Sequence, residues 1–224
     1  KLRVGSHECS IISYLSEGGF AHIYKVQISP PENNSDVACL KRVLVKDKTG
    51  LSQLRTEVKV MQKLVGCPNI VQYYDSHASR LSTVDSNEKL GYEVLVLMEL
   101  CPNKSLLDFM NTRLKTKLKE IEILKIMYDI SIAVSQLHYL PKPLIHRDIK
   151  IENVLIDAHR NFKLCDFGST CHIIPPAKTK EQFDNLYQDI LHQTTPQYRC
   201  PEMIDLNRRL PIDEKSDIWA FGVF

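Results

Sequence analysis

Hydrophobic and polar positions alternate in short runs over the first third of the chain. Residues 11–15, 21–28 and 37–45 are rich in β-branched and aromatic side chains. Turn-forming residues separate them, Gly18-Gly19 first and Ser29-Pro30-Pro31-Glu32-Asn33-Asn34 second, so the pattern predicts three strands. The period then lengthens. Leu51, Leu54, Val58, Met61 and Leu64 recur every three or four residues, which predicts a helix with one buried stripe, stopped by Pro68. Residues 70–74 and 92–100 read as further strands, joined by an exposed polar loop over 76–89.

Beyond Pro102 the pattern is helical. Ser105 and Asp108 form an S-x-x-D cap. Leu124, Met127, Ile130, Val134 and Leu137 mark a long helix ended by Pro141. Two short strands, 154–156 and 162–165, flank a turn, and Phe183, Leu186, Ile190 and Leu191 have the spacing of a short helix. Strand-rich sequence followed by helix-rich sequence is an α+β order.

Composition changes this picture little. The chain has 224 residues, 43% hydrophobic and 25% charged, with a formal net charge of +2. These values suit a globular protein and give no electrostatic argument for a nucleic-acid partner. The seven cysteines form no CxxC pair, so reduced thiols are expected rather than a disulfide framework or zinc. The strongly apolar run over 94–100 is too short to span a bilayer.

The candidate chemistry lies in four motifs. His146-Arg147-Asp148-Ile149-Lys150-Ile151-Glu152-Asn153 fills H-R-D-x-x-x-x-N. Moving a phosphoryl group to a hydroxyl requires a proton acceptor, which Asp148 supplies. Asn153 offers a neutral oxygen to a metal ion, and Lys150 can offset charge on the transferred group. Thirteen residues after Asn153 comes Asp166-Phe167-Gly168, a carboxylate able to bridge Mg²⁺ to phosphates at the end of a strand. Lys41, within a strand, needs an anionic partner if its amine is desolvated, and Glu57 on the striped helix is the candidate. The run Ser16-Glu17-Gly18-Gly19-Phe20-Ala21-His22-Ile23 departs from G-x-G-x-x-G-x-V, keeping Gly18 in place and adding Gly19 beside it. Downstream, Thr195-Pro196-Gln197-Tyr198-Arg199-Cys200-Pro201-Glu202 approximates a segment ending in A-P-E, and Asp217-Ile218-Trp219-Ala220-Phe221-Gly222 a D-x-W-x-x-G helix start.

Together these motifs resemble the protein kinase superfamily from Leu15 to Gly222. Residues 14–21, 38–43, 163–169 and 198–205 are similar to the Numb-associated kinase family, and within it to the fungal actin-regulating kinases. The resemblance implies a two-lobed kinase fold. Residues 1–100 would form an N-terminal lobe with a five-stranded sheet, one helix and an ATP lid, and residues 101–224 a C-terminal lobe. It implies ATP and Mg²⁺ as cofactors, with Asn153 and Asp166 on the metal. Met98 would be the gatekeeper, Glu99 and Cys101 would offer backbone groups to adenine, and Leu15, Ile23 and Leu155 would sandwich the ring. Cys39 and Cys165 would also face the nucleotide. Thr195 would belong to the segment that holds the peptide acceptor, and Arg147 could clamp a phosphorylated residue in that segment, for which Ser169, Thr179 and Thr194 are candidates.

The family acts on threonine-bearing motifs in endocytic adaptor and actin-regulatory proteins. The resemblance therefore implies protein substrates, a monomeric catalytic domain, no nucleic acid, no membrane insertion, and a cytoplasmic location at cortical actin or endocytic sites. A kinase of this family would continue past Phe224, so the expectation is an incomplete C-terminal lobe with low stability and weak activity by itself. The alternatives are a pseudokinase scaffold and a small-molecule kinase of related fold.

Overall fold

The structure, a computed structural model, describes residues 1–18, 21–81 and 91–224. The part of the phosphate-loop motif at Gly19 and Phe20, and most of the expected loop over 76–89, lie outside the described residues. Two units emerge, one of residues 1–66 and 71–101, the other of residues 67–70 and 102–224.

The first unit holds β1 (Leu2–Val4), β2 (His7–Gly18), β3 (Ala21–Glu32), β4 (Ser35–Val45), α1 (Lys48–Lys63), β5 (Tyr73–Arg80) and β6 (Tyr92–Met98). Its antiparallel sheet has six strands in the order β1-β2-β3-β4-β6-β5, which corrects the expected five. The added strand, β1, is only three residues long, too short for a periodicity to show. It folds back along β2 through a turn at Gly5 (φ 55) and also lies against β5 and β6. Ser6 donates from its backbone N and its hydroxyl to Asp75 Oδ2, at 2.8 and 2.9 Å. His7, 2% exposed, sits with Nε2 2.9 Å from Glu32.

Period-two alternation splits the strands between two faces. Val26, Ile28, Ala38, Leu40, Leu95 and Leu97 face a core closed by Val4 and Cys9, with Leu2, Tyr24 and Tyr74 at its margin. The opposite face carries Ile23, Lys41, Val96, Cys39 and Met98, because Ile23 pairs with Lys41, Lys41 with Val96, and Cys39 with Met98. Helix α1 begins at an Asp47 cap whose carboxylate accepts from Gly50 N at 2.8 Å.

Several boundaries differ from the sequence expectations, and three have a clear physical reason. Strand β3 runs on to Glu32, so the turn is only Asn33 and Asn34, both at positive φ. Pro30 and Pro31 are tolerated because the β3–β4 ladder breaks between Gln27 and Glu32 and asks no hydrogen bond of them. Helix α1 ends at Lys63, before Pro68, and Gly66 (φ 80) makes the turn. Strand β5 covers Tyr73–Arg80, overlapping the expected strand over 70–74 only at Tyr73 and Tyr74 and running on into the expected loop. It is an edge strand, and main-chain pairing with β6 suffices for its polar residues.

The second unit holds α2 (Leu106–Asn111), α3 (Glu120–His138), β7 (Val154–Ile156), β8 (Phe162–Leu164), α4 (Lys180–Gln193), α5 (Pro201–Ile204) and α6 (Lys215–Val223). Ser105 and Asp108 form a reciprocal capping box on α2. The buried stripe of α3 is Ile126, Ile130, Ala133, Val134 and Leu137; Leu124, expected in it, is exposed. Asp129 on α3 is 2% exposed, takes Lys125 at 2.7 Å, and accepts from Phe162 N at 2.9 Å, which fixes the β7–β8 hairpin against the helix. Among the described residues, no helix is long and apolar enough to cross a membrane.

Candidate active site

The first unit presents Ile23, Cys39, Lys41 and Met98 on one sheet face, by the register given above. Lys41 Nζ meets Glu57 Oε1 at 2.7 Å, with side chains 20% and 9% exposed. Glu57 is held there because it lies on the inward stripe of α1 beside Val60 and Met61. Burial pushes the Cys39 thiol up to about 12, so it stays neutral and behaves as a small apolar side chain. Glu99 N donates to Gln72 O at 2.8 Å, and Glu99 Oε2 accepts from Gln72 N at 3.1 Å; these bonds fix the chain leading to Cys101. Leu15 is 46% exposed and lies at a register shift between Tyr14 and Ser16. Among the described residues, a Cβ at Gly18 would meet no atom within 4 Å, so packing against them does not explain the glycine.

In the second unit the loop from His146 to Asn153 is fixed from below. Asp217, at the start of α6 and 1% exposed, accepts from His146 N at 2.8 Å, Arg147 N at 2.9 Å and His138 Nε2 at 2.8 Å. Arg147 is thereby kept in the left-handed region (φ 67), a conformation that costs a non-glycine residue about 1 kcal/mol or more. Four polar groups then converge. Asp148 Oδ1 accepts from Thr195 Oγ1 at 2.6 Å; Asp148 Oδ2 lies 2.7 Å from Lys150 Nζ; and Lys150 Nζ donates to Thr195 Oγ1 at 2.9 Å. Asn153 Nδ2 donates to Asp148 O at 2.9 Å and to its Oδ2 at 3.1 Å. A carboxylate that receives a hydroxyl proton at one oxygen, with an ammonium beside it, can serve as an acceptor for hydroxyl protons.

Asp166 also has a left-handed backbone (φ 62) and an exposed side chain. Its neighbour explains the geometry: Phe167 is 1% exposed and packs edge-on against His146, centroids 5.4 Å apart, so the chain turns sharply around the buried ring. His146 Nε2 in turn meets Cys165 O at 3.1 Å, and Cys165 Sγ donates to Asn153 O at 3.3 Å. Leu155, the middle residue of β7, pairs with Lys163. The donors suit a hard cation. Asp166 presents a carboxylate, and Asn153, with Nδ2 turned to Asp148, keeps Oδ1 as its acceptor.

The segment after Gly168 contains α4, fourteen residues long, with its cap at Thr179. Ile190 is buried with Cys200, Met203 and Ile212, and Leu186 packs at the margin of that cluster; Leu191, expected on the same stripe, is exposed. Arg199 donates to Thr194 Oγ1 at 2.8 Å and to Thr194 O at 3.1 Å, placing a cation at the helix C-terminus. Arg147 Nη1 bonds Asp189 Oδ2, and Arg147 Nε bonds Ser169 O at 2.6 Å. Sequence reasoning missed Asp217, His138 and Asp189 as parts of this arrangement. The D-x-W motif pointed to Asp217 as a helix start, but nothing local signalled its bonds to residues some seventy positions away.

The first unit thus carries a lysine paired with a glutamate, and the second a carboxylate–lysine–hydroxyl cluster followed by the turn at Asp166. The chain belongs to the protein kinase domain family, which matches residues 10–224. It is 60% identical over 232 residues to the serine/threonine-protein kinase AKL1 of Saccharomyces cerevisiae, covering 99% of this chain and 21% of that protein. It is 54% identical to actin-regulating kinase 1 and 53% identical to the actin-regulating kinase PRK1 of the same yeast, covering 100% of this chain in both and 35% and 27% of those proteins. The chain thus spans about a fifth to a third of the length of these relatives.

Proposed function

We propose that this chain is the catalytic segment of a serine/threonine protein kinase, transferring the γ-phosphate of ATP to threonine or serine hydroxyls of protein substrates. The observation that carries the reading is the cluster at Asp148, in which Thr195 Oγ1 donates to the carboxylate at 2.6 Å and Lys150 stands 2.7 Å from its second oxygen. In the reaction the acceptor oxygen bonds to the γ-phosphorus, the bond from that phosphorus to the β,γ-bridging oxygen breaks, and ADP leaves. The hydroxyl proton passes to Asp148 Oδ1. Lys150 offsets negative charge on the transferred group. Lys41, steadied by Glu57, takes the α- and β-phosphates. Ile23, Cys39, Met98, Leu15, Leu155 and Cys165 form the apolar surroundings of adenine, with backbone groups of Glu99 and Cys101 fixing its edge. Gly18 lets backbone approach phosphate.

Asn153 and Asp166 are the residues that would hold Mg²⁺, which when bound neutralises phosphate oxygens. Thr195 keeps Asp148 and Lys150 together and stands where an acceptor segment would dock. Actin-regulatory and endocytic adaptor proteins are the substrate class we favour; the names of the two actin-regulating relatives support the actin-regulatory part of it. Action at cortical actin or endocytic sites is the location that goes with this substrate class.

The test is phosphate transfer from labelled ATP to threonine peptides drawn from actin-regulatory proteins, using the intact protein. Transfer abolished by Asp148→Asn supports the reading. ATP bound without transfer to any peptide would replace it with a pseudokinase scaffold, and transfer to small alcohols alone would replace it with a small-molecule kinase.

A further inference from the structure

We propose that Asp189 is a positioning residue for phosphoryl transfer: acting with Gln193, it fixes Arg147 and Ser169, and through them the loop of Asp148 and the turn of Asp166. The proposal rests on the kinase reading above. Asp189 and Gln193 are four residues apart and share one face of α4. Asp189 Oδ2 takes Arg147 Nη1, and Gln193 Oε1 accepts from Ser169 Oγ at 3.2 Å. The two targets are themselves joined, since Arg147 Nε donates to Ser169 O at 2.6 Å. One helical face therefore grips the residue just before Asp148 and the residue just after Gly168.

The electrostatics make Asp189 the deciding member. The Arg147 side chain is 6% exposed, and a guanidinium so far from water needs an anion. Among the described residues its only carboxylate ion pair is with Asp189. Arg147 is thus held at both ends, by Asp217 at its backbone and by Asp189 at its tip, and its left-handed φ passes directly into Asp148. Helix α4 does not depend on this contact for its seat. Ile190 is buried with Cys200, Met203 and Ile212, Leu186 packs beside them, and Arg199 ties down the C-terminal carbonyls. Neutralising Asp189 should therefore free Arg147 while leaving the helix docked.

The experiment measures kcat, KM for ATP and thermal midpoint on the intact protein with a threonine peptide. Its variants are Asp189→Asn, Asp189→Glu, Arg147→Ala and the double substitution Arg147→Ala/Asp189→Asn. Asp189→Asn should lower kcat by about tenfold or more, with KM for ATP changed less than about twofold. Its melting midpoint should fall, because the buried guanidinium has lost its anion, but the rate loss should persist at temperatures well below that midpoint; Asp189→Glu should recover most of the rate, and the double variant should be no slower than Arg147→Ala alone. A full rate in Asp189→Asn overturns the proposal, as does a rate loss that only tracks a lowered midpoint or one that multiplies with Arg147→Ala. If the unsubstituted protein transfers no phosphate, the kinase reading falls, and this proposal with it.

Discussion

Replacing Asp217 with asparagine tests whether the catalytic loop is set from beneath. The carboxylate is 1% exposed and receives three donors, His146 N, Arg147 N and His138 Nε2, at 2.8 to 2.9 Å. Asparagine has the same shape but only one acceptor oxygen. In its better orientation that oxygen keeps His146 N and His138, and the amide nitrogen then faces Arg147 N–H, donor against donor. Stranding one partly buried N–H costs about 1–3 kcal/mol, and losing the charge weakens the two remaining bonds by roughly 0.5–1 kcal/mol each. The sum is about 3 kcal/mol.

Urea titration of the intact protein should show this as a lower midpoint at unchanged slope. Amide hydrogen exchange locates the loss: Arg147 N–H should exchange faster, while the amides of α3 keep their protection. The rate of phosphate transfer should fall as well, since Asp148 follows directly. A midpoint within the error of the unsubstituted protein, or unchanged exchange at Arg147, would show that Asp217 does not set the loop.

Three further outcomes are expected. Glu57→Gln removes the Glu57 carboxylate from Lys41 and should cost about 2 kcal/mol, less than the 3–5 typical of a fully buried pair because the lysine side chain is 20% exposed; a coupling energy near zero in a double-mutant cycle with Lys41→Met would refute it. Burial pushes the Cys39 and Cys200 thiols up to about 12, so at pH 8 each should react with iodoacetamide about a thousandfold more slowly than a free thiol; mass-spectrometric labelling at ordinary thiol rates would contradict this. For Asp157, burial opposes ionisation, but bonds from the Asn161 side chain and from the backbone N–H groups of Asn161 and His159 outweigh it and hold the carboxyl below the ordinary 3.8. A lowered folded value gives stability that is present above pH 3.8 and is lost as pH falls through the folded value. Asp157→Asn should therefore flatten the acid limb of the stability curve, and an unchanged limb would refute the assignment.

What could be read along the chain was what repeats or what is contiguous. The octet from His146 to Asn153 and the triplet at Asp166 are unbroken strings, and the stripe of α1 and the box at Ser105 follow local rules. The greater part of strand β5 was hidden because an edge strand of Tyr-Asp-Ser-His-Ala-Ser has no apolar alternation, and its order comes from pairing with β6. The same holds for β1, which is defined by the core it covers. Leu124 and Leu191 have the spacing of core residues yet are exposed, since period alone does not say how wide the covered face is. Asp189 is one of several acidic residues on α4, and only the fold shows that it reaches a guanidinium in another loop.

The small strand at the start of the chain carries a practical warning. The match to the protein kinase domain family begins at residue 10, so a protein trimmed to that boundary would keep every motif and still lose Val4, Cys9, His7 and the serine that grips Asp75. Leu40, Ala38 and Leu97 would then have water where they now have neighbours. The face that suffers is the reverse of the one bearing Lys41, and damage there would pass for a catalytic defect.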